Sequence, residues 1–165
     1  MPNPIHIRQA APDDTNTITA FNLALALETE DRRLDGATLR DGVRSLLVQP
    51  QYGFYIIAEQ PGGHETQPVG QLMITYEWSD WRNGVFWWIQ SVYVIPEQRG
   101  RGVYQAMHRH ITDEAKNDSR ICGIRLYVAH ENERAHAAYR RAGLLPSAYD
   151  MYEHDFVLGP HALNP

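Results

Sequence analysis

The chain has 165 residues, a formal net charge of −5 and one cysteine, a length that suits a single domain over 1–165 with a buried core. Lone Cys122 excludes an internal disulfide and no thiol cluster offers a structural zinc, which fits a reducing cytoplasm. A mildly acidic chain with no long basic block argues against nucleic acid as the main partner, and no stretch reaches membrane-spanning length, so neither nucleic acid nor membrane is expected.

From the N-terminus, MPNPIHIRQA has no basic region leading into an apolar run, so no targeting segment is expected. Ile5 to Arg8 alternates like a short strand, and Pro12, Asp13 and Asp14 read as the first turn of a helix with Ile18, Phe21, Asn22 and Leu25 on one face. The charged run ETEDRRLD, Glu28 to Asp35, predicts a break before a second helix carrying Leu39, Val43, Leu46 and Leu47 at core spacing. Phe54 to Ala58 is a continuous apolar run of strand type, and the glycines and prolines of QPGGHETQP predict a hairpin loop after it. From Val69 the chain alternates, with Leu72, Ile74, Tyr76 and Trp78 on one face and Gln71, Met73, Thr75 and Glu77 on the other. SDWRNG reads as a turn, so the next strand, Val85 to Ile95, pairs back antiparallel. Val103, Met107 and Ile111 mark a helix. A strand over Gly123 to Ala129, a helix from Asn132 to Gly143 and one or two closing strand segments within Tyr149 to Leu158 complete the order. The layout is mixed α/β: an antiparallel meander, then a crossover unit, with one sheet covered by helices.

Within that order, Ile89 to Gln105, IQSVYVIPEQRGRGVYQ, joins a strand to a helix through two closely spaced glycines. Gly100 and Gly102 accept positive φ and let backbone N–H groups approach a ligand, and the helix beyond them adds its own unpaired N–H groups with about half a positive charge. Arg99 and Arg101 add full charges. Such a turn suits a phosphate or pyrophosphate. A nucleoside-triphosphate loop would need Lys and then Ser or Thr where Val103 and Tyr104 stand, and a dinucleotide turn would need a third glycine and an acidic residue about 20 positions on.

Arg99, Gly102 and Tyr104 stand at the fixed positions of a signature that runs Gln or Arg, two residues, Gly, one residue, then Gly or Ala; the tyrosine departs from the small final residue. The stretch resembles the acyl-CoA pyrophosphate loop of the GCN5-related N-acetyltransferases (GNAT), and the element order of nearly the whole chain is similar to that family's. The resemblance implies a mostly antiparallel sheet with a splayed strand pair holding the acyl-CoA, acetyl-CoA as co-substrate, and transfer to a primary amine by direct attack in a ternary complex. It implies that Arg99, Gly100, Arg101, Gly102, Val103 and Tyr104 hold the pyrophosphate, while Val92, Tyr93 and Val94 offer backbone to the pantetheine arm and an N–H near Val94 polarises the thioester. Asn132, Tyr139 and Gly143 match the family's pattern of Asn, six residues, Tyr, then Gly four on. Asn132 would then meet the pantetheine chain and Tyr139 would protonate the departing thiolate.

The acceptor side carries weaker signals. Some relatives place a glutamate on the strand before the loop; the matching residue here is Gln90, which cannot act as a base. Glu77 on the neighbouring strand is the substitute candidate, with a water chain as the alternative. By analogy, Glu28, Glu30 and Trp78 fall beside Gln90 on the substrate side. YEWSDWRNG followed by WWIQSVYV resembles, more loosely, the hairpin of polyamine and thialysine acetyltransferases, which implies a small cationic amine: a polyamine, a diamine or a lysine analogue. A protein amine acceptor and a non-catalytic acyl-CoA-binding domain stay open, and the tryptophans suit a core or a homodimer interface as well as a channel. His108 and His110 are two apart on a helix and point in different directions, so no metal site is read.

Overall fold

In the computed structural model, residues 4–62 and 65–159 are described. Their strands form one sheet in chain order: β1 (His6–Gln9), β2 (Gly53–Gly62), β3 (Glu65–Ser79), β4 (Gly84–Val94) and β5 (Ile121–Leu126). The first four pair antiparallel, and β5 lies parallel to β4. Helices α1 (Thr15–Glu30) and α2 (Gly36–Val48) link β1 to β2, α3 (Val103–Asn117) makes the crossover from β4 to β5, and α4 (Glu133–Arg141) follows. None of these helices is long and apolar enough to cross a membrane.

The continuous apolar run in β2 arises because helices cover both faces of the sheet. Ile56 and Ala58 join Leu72, Ile74 and Ile89 against Val103, Met107 and Ile111 of α3. Tyr55 and Ile57 face the other way, against Ile18 of α1 and Val43 of α2. Arg8 ties β1 to the start of α1: its guanidinium forks onto Asp14 at 2.7 and 2.8 Å and also bonds Glu59 of β2 at 2.9 Å. Asp35 caps α2 by accepting from the Thr38 N–H at 2.8 Å.

Three sequence expectations are corrected here. The charged run is not a loop from Glu28: α1 continues to Glu30 and stops at Asp31, which turns left-handed (φ 48°) and donates its N–H to Ala26. QPGGHETQP is mostly strand, since β2 and β3 pair as far as Gly62 and Glu65, and the tip at 63 and 64 lies outside the described residues. No described strand follows α4. In Tyr149 to Leu158 the side chains of Ser147 and Asp155 accept the N–H groups of Tyr149, Val157 and Leu158 in local turns, which removes those donors from a ladder.

Two breaks in regularity position the site. Gln71 pairs with Tyr93 and Met73 with Gln90, so Ser91 and Val92 stand opposite the single residue Leu72. This is a β-bulge in β4, and Ser91 takes a left-handed conformation with φ 50°. Parallel pairing of β4 with β5 then ends at Ile89 and Leu126, while β4 runs on to Val94. The two strands part beyond that point.

Candidate active site

The parting strands open a cleft of about 1170 Å³. Its floor is Ile89 to Val94, its near end is the loop from Gln98 to Gln105 apart from Arg101, one wall comes from Tyr127 to Ala129 with α4, and the other from the end of α1. Beyond Ile89 the β5-facing edge of β4 has no described strand beside it, so its backbone is available to an extended ligand.

At the loop, Gly100 and Gly102 have φ 75° and 85°. A Cβ at either position would meet nothing within 4 Å, so it is backbone conformation that asks for glycine there, not lack of space. Gly102 precedes α3, no side chain caps that helix, and its first internal bond runs from the Ala106 N–H to Gly102. The N–H groups of the first turn therefore face the cleft mouth unclaimed by a cap. The Arg99 side chain points back from the loop. Its Nε donates to the Val94 carbonyl at 2.8 Å, its terminal nitrogen to Glu28 at 2.6 Å, and its plane lies over the Tyr93 ring. Tyr93 packs on Phe21 and also donates to Glu28. Arg99 thus fastens the loop to β4 and α1, and the exposed Arg101 is the more accessible charge.

Across the cleft, Asn132 caps α4 by accepting from the Ala135 N–H at 3.1 Å, and Tyr139 lies two turns on. The Tyr139 ring meets Tyr104 edge-on at 5.5 Å, and Tyr104 meets His108 at 5.8 Å. Burial raises both phenols above their ordinary value of 10, for Tyr104 with a further push from Tyr139, so both are protonated at neutral pH. Burial also lowers the His108 imidazole, keeping it neutral beside them. The Tyr104 hydroxyl and the Gln98 side-chain oxygen are buried on the cleft wall without a hydrogen-bond partner among the described residues. Polar groups in that condition fit a ligand that brings its own donors and acceptors, as a phosphorylated carrier with amide groups does.

The acceptor side departs more from expectation. Glu28, Glu30 and Gln90 line the cleft, with the Gln90 amide donating to Thr75 at 2.5 Å. Glu77 does not line it. Its carboxylate takes bonds from the Trp88 indole N–H and from Arg125, which turn it away from the cleft. Trp78 is 61% exposed near the end of β3, away from the cleft, and Trp87 belongs to the core. The tryptophans therefore form no channel wall, and the core alternative holds for Trp87. Tyr127, missed by sequence reasoning, takes that place: it lies on the cleft wall, packs against Trp88 at 6.0 Å, and has its hydroxyl pushed upward by burial and then by the Glu30 charge. Its only sequence signal was an aromatic residue just before the polar run HENE.

A strand edge opened by a bulge and a splay, next to an uncapped glycine-led helix N-terminus and a protonated phenol, defines a class of acyl-carrier-dependent transferases. The sequence model of the Acetyltransferase (GNAT) family matches residues 21–144. The solved structure of a possible acetyltransferase from Clostridium difficile 630 is 42% identical, covers 93% of this chain and 98% of its own, and superposes with a TM-score of 0.84. At fold level, a predicted acetyltransferase with acetyl-CoA from Clostridium acetobutylicum is similar at 17% identity, 92% and 96% coverage and a TM-score of 0.73. Glucosamine-6-phosphate N-acetyltransferase from Arabidopsis thaliana follows at 15% identity, 92% and 98% coverage and 0.68. Comparison with curated proteins gave no match. The chain belongs to the GNAT acetyltransferase family. It is an N-acetyltransferase with acetyl-CoA as co-substrate.

Proposed function

We propose that the acceptor is a small cationic primary amine, such as a diamine, polyamine or lysine analogue, and that the acetyl group moves to it directly in a ternary complex. The supporting observation is the cleft wall itself, where Glu28, Glu30 and Tyr127 form an acidic and aromatic mouth next to Gln90. A cation entering there meets the Tyr127 face and the Glu30 carboxylate, which also pairs with Arg32 at 3.7 Å, and this favours an ammonium over a neutral amine. Glu28, engaged by Arg99 and Tyr93, holds the loop in register with α1 and adds its charge at longer range.

Acetyl-CoA supplies the activated acetyl thioester. The chain's part is to hold and orient: backbone N–H groups of Gly100 to Tyr104 bind pyrophosphate beside Arg101, and the open edge at Val92 to Val94, with Asn132, aligns the arm. Gln90, whose amide N–H goes to Thr75, offers its carbonyl oxygen to an amine N–H and so turns the nitrogen toward the acetyl carbon. The ammonium loses its proton to water in the open mouth, since Gln90 cannot take it and Glu77 is paired elsewhere. As the N–C bond forms and the C–S bond breaks, Tyr139, which is protonated at neutral pH, gives its proton to sulfur, and the proton left on the new amide nitrogen passes through water to the phenolate and restores Tyr139. The whole chain, 1–165, serves as one catalytic domain.

The test is thiol release from acetyl-CoA over a panel of diamines, polyamines, lysine analogues, aminoglycosides and peptides with free N-termini. Turnover on short diamines or polyamines, with kcat/KM falling as salt rises, is the expected result. Turnover confined to peptides would overturn the small-amine reading, and cofactor binding without turnover on any amine would overturn the acceptor assignment altogether.

A further inference from the structure

We infer that Gln71, working with Asn22 and Tyr55, is a positioning residue that holds the bulge of β4 in the shape that opens its edge to the cofactor; this rests on the reading of Val92 to Val94 as the pantetheine-facing segment. Gln71 stands on the polar-looking face of β3, yet its exposure is 0% because α1 covers that face. Its amide nitrogen donates to Asn22 Oδ1 at 2.7 Å and to the Ser91 carbonyl at 3.3 Å. Both partners are acceptors, so the donor end must face them and the flipped amide would make neither bond. Asn22 is oriented in turn by donating to the Tyr55 hydroxyl at 3.2 Å.

Ser91 is thus held at its carbonyl, and it is the bulge residue with φ 50°. A serine keeps a left-handed conformation only where its surroundings over-determine it. Without the grip, β4 would relax toward regular pairing with β3, and the residues that follow, Val92 to Val94, would turn their backbone groups away from the cleft. The position also carries a cost, since the Gln71 side-chain oxygen is buried with no hydrogen-bond partner among the described residues. A leucine would pack there without that penalty, so the two donors are what the position requires. α1, which delivers Asn22, also delivers Glu28 and Glu30, and so cofactor edge and acceptor wall are registered to one helix.

The test compares wild type with Gln71→Met, which keeps volume and removes both donors. Expected are a rise of about tenfold in both the coenzyme A Kd and the acetyl-CoA KM, with the amine KM changed by less than about twofold. A role in stability alone would lower kcat through a smaller folded fraction and leave both KM values in place, and that outcome overturns the proposal. Adding Ser91→Gly to Gln71→Met should recover at least about threefold of the lost affinity, because glycine takes the bulge conformation unaided; no recovery overturns it. Should Gln71→Met not fold, Tyr55→Phe reads the same network through one hydroxyl, with a rise of about twofold to threefold in coenzyme A Kd expected and an unchanged Kd contradicting it. A wild type that binds coenzyme A and loses it on Gly102→Val, beside an unaffected Gln71→Met, overturns the positioning role alone. A wild type that does not bind coenzyme A overturns the site reading and this inference with it.

Discussion

The two halves of the cleft are built from different materials. The cofactor half, Ser91 to Val94 with the loop to Tyr104, offers mainly backbone: a strand edge left bare by the splay, two glycines at positive φ and a helix start with no side-chain cap. The acceptor half offers side chains, with Glu28 and Glu30 from the last turn of α1, Gln90 from β4 and Tyr127 from beyond β5. Backbone donors recognise what every acyl-CoA shares and tolerate varied side chains as long as the conformation is kept. Side chains at a cleft mouth can be exchanged one at a time, so acceptor preference changes without disturbing the carrier site. Substitutions should therefore separate, with conformational changes in the first half moving cofactor parameters and charge changes in the second moving amine parameters.

The largest effect is expected at Tyr139, where the halves meet. Tyr139→Phe should lower kcat by about a hundredfold or more, the usual range for a general acid, with acetyl-CoA KM within about threefold; steady-state kinetics with both substrates varied checks this, and an unchanged kcat removes Tyr139 from the chemistry. Next is Gly102→Val, which forces a β-branched residue to φ 85°. It should raise acetyl-CoA KM by about tenfold or more and abolish the rise in melting temperature that acetyl-CoA gives, leaving amine KM little changed. A normal thermal shift would mean the loop does not hold the carrier. Glu30→Gln should do the reverse: a rise of about threefold to tenfold in amine KM, smaller at high salt, and an unchanged acetyl-CoA Kd by calorimetry. Equal movement of both parameters would break the separation of the halves.

The smallest effect concerns the frame. Arg8 holds Asp14 below its ordinary value of 3.8 through paired hydrogen bonds, ahead of burial, which acts the other way. A depressed folded-state pKa gives stability that is present above 3.8 and lost as pH falls through the lower native value. Arg8→Ala should therefore cost about 1–2 kcal/mol at neutral pH, discounted for partial exposure of the arginine, with a deficit that shrinks below about pH 4. Chemical denaturation across pH would show it, and a deficit independent of pH would assign the loss to packing instead.

What could be read in the sequence was what local chemistry controls. The glycine loop showed because positive φ demands particular residues, and Asn132 with Tyr139 showed because helical spacing puts them on one face. The splay came only with the family resemblance, since the end of pairing at Leu126 is a backbone event that no side chain announces, and Tyr127 accordingly read as one more strand residue. Gln71 sits in clean alternation with Leu72 and Ile74, and only the packing of α1 over its face shows that it is buried. Glu28 and Arg99 are 71 positions apart, and nothing local pairs them. Tyr149 to Leu158 had strand composition, but Ser147 and Asp155 offered its backbone closer partners. Glu77 looked like an acid on the site-facing strand, and only the fold brought Arg125 and Trp88 to it.

The most direct test of the central claim is a crystal structure of the chain with acetyl-CoA. The account predicts the pantetheine arm bonded to the β4 backbone at Val92 to Val94, the pyrophosphate on the N–H groups from Gly100 to Tyr104, and the sulfur within hydrogen-bond reach of the Tyr139 hydroxyl. An arm lying outside the opening between β4 and β5, or a sulfur turned away from Tyr139, would contradict it.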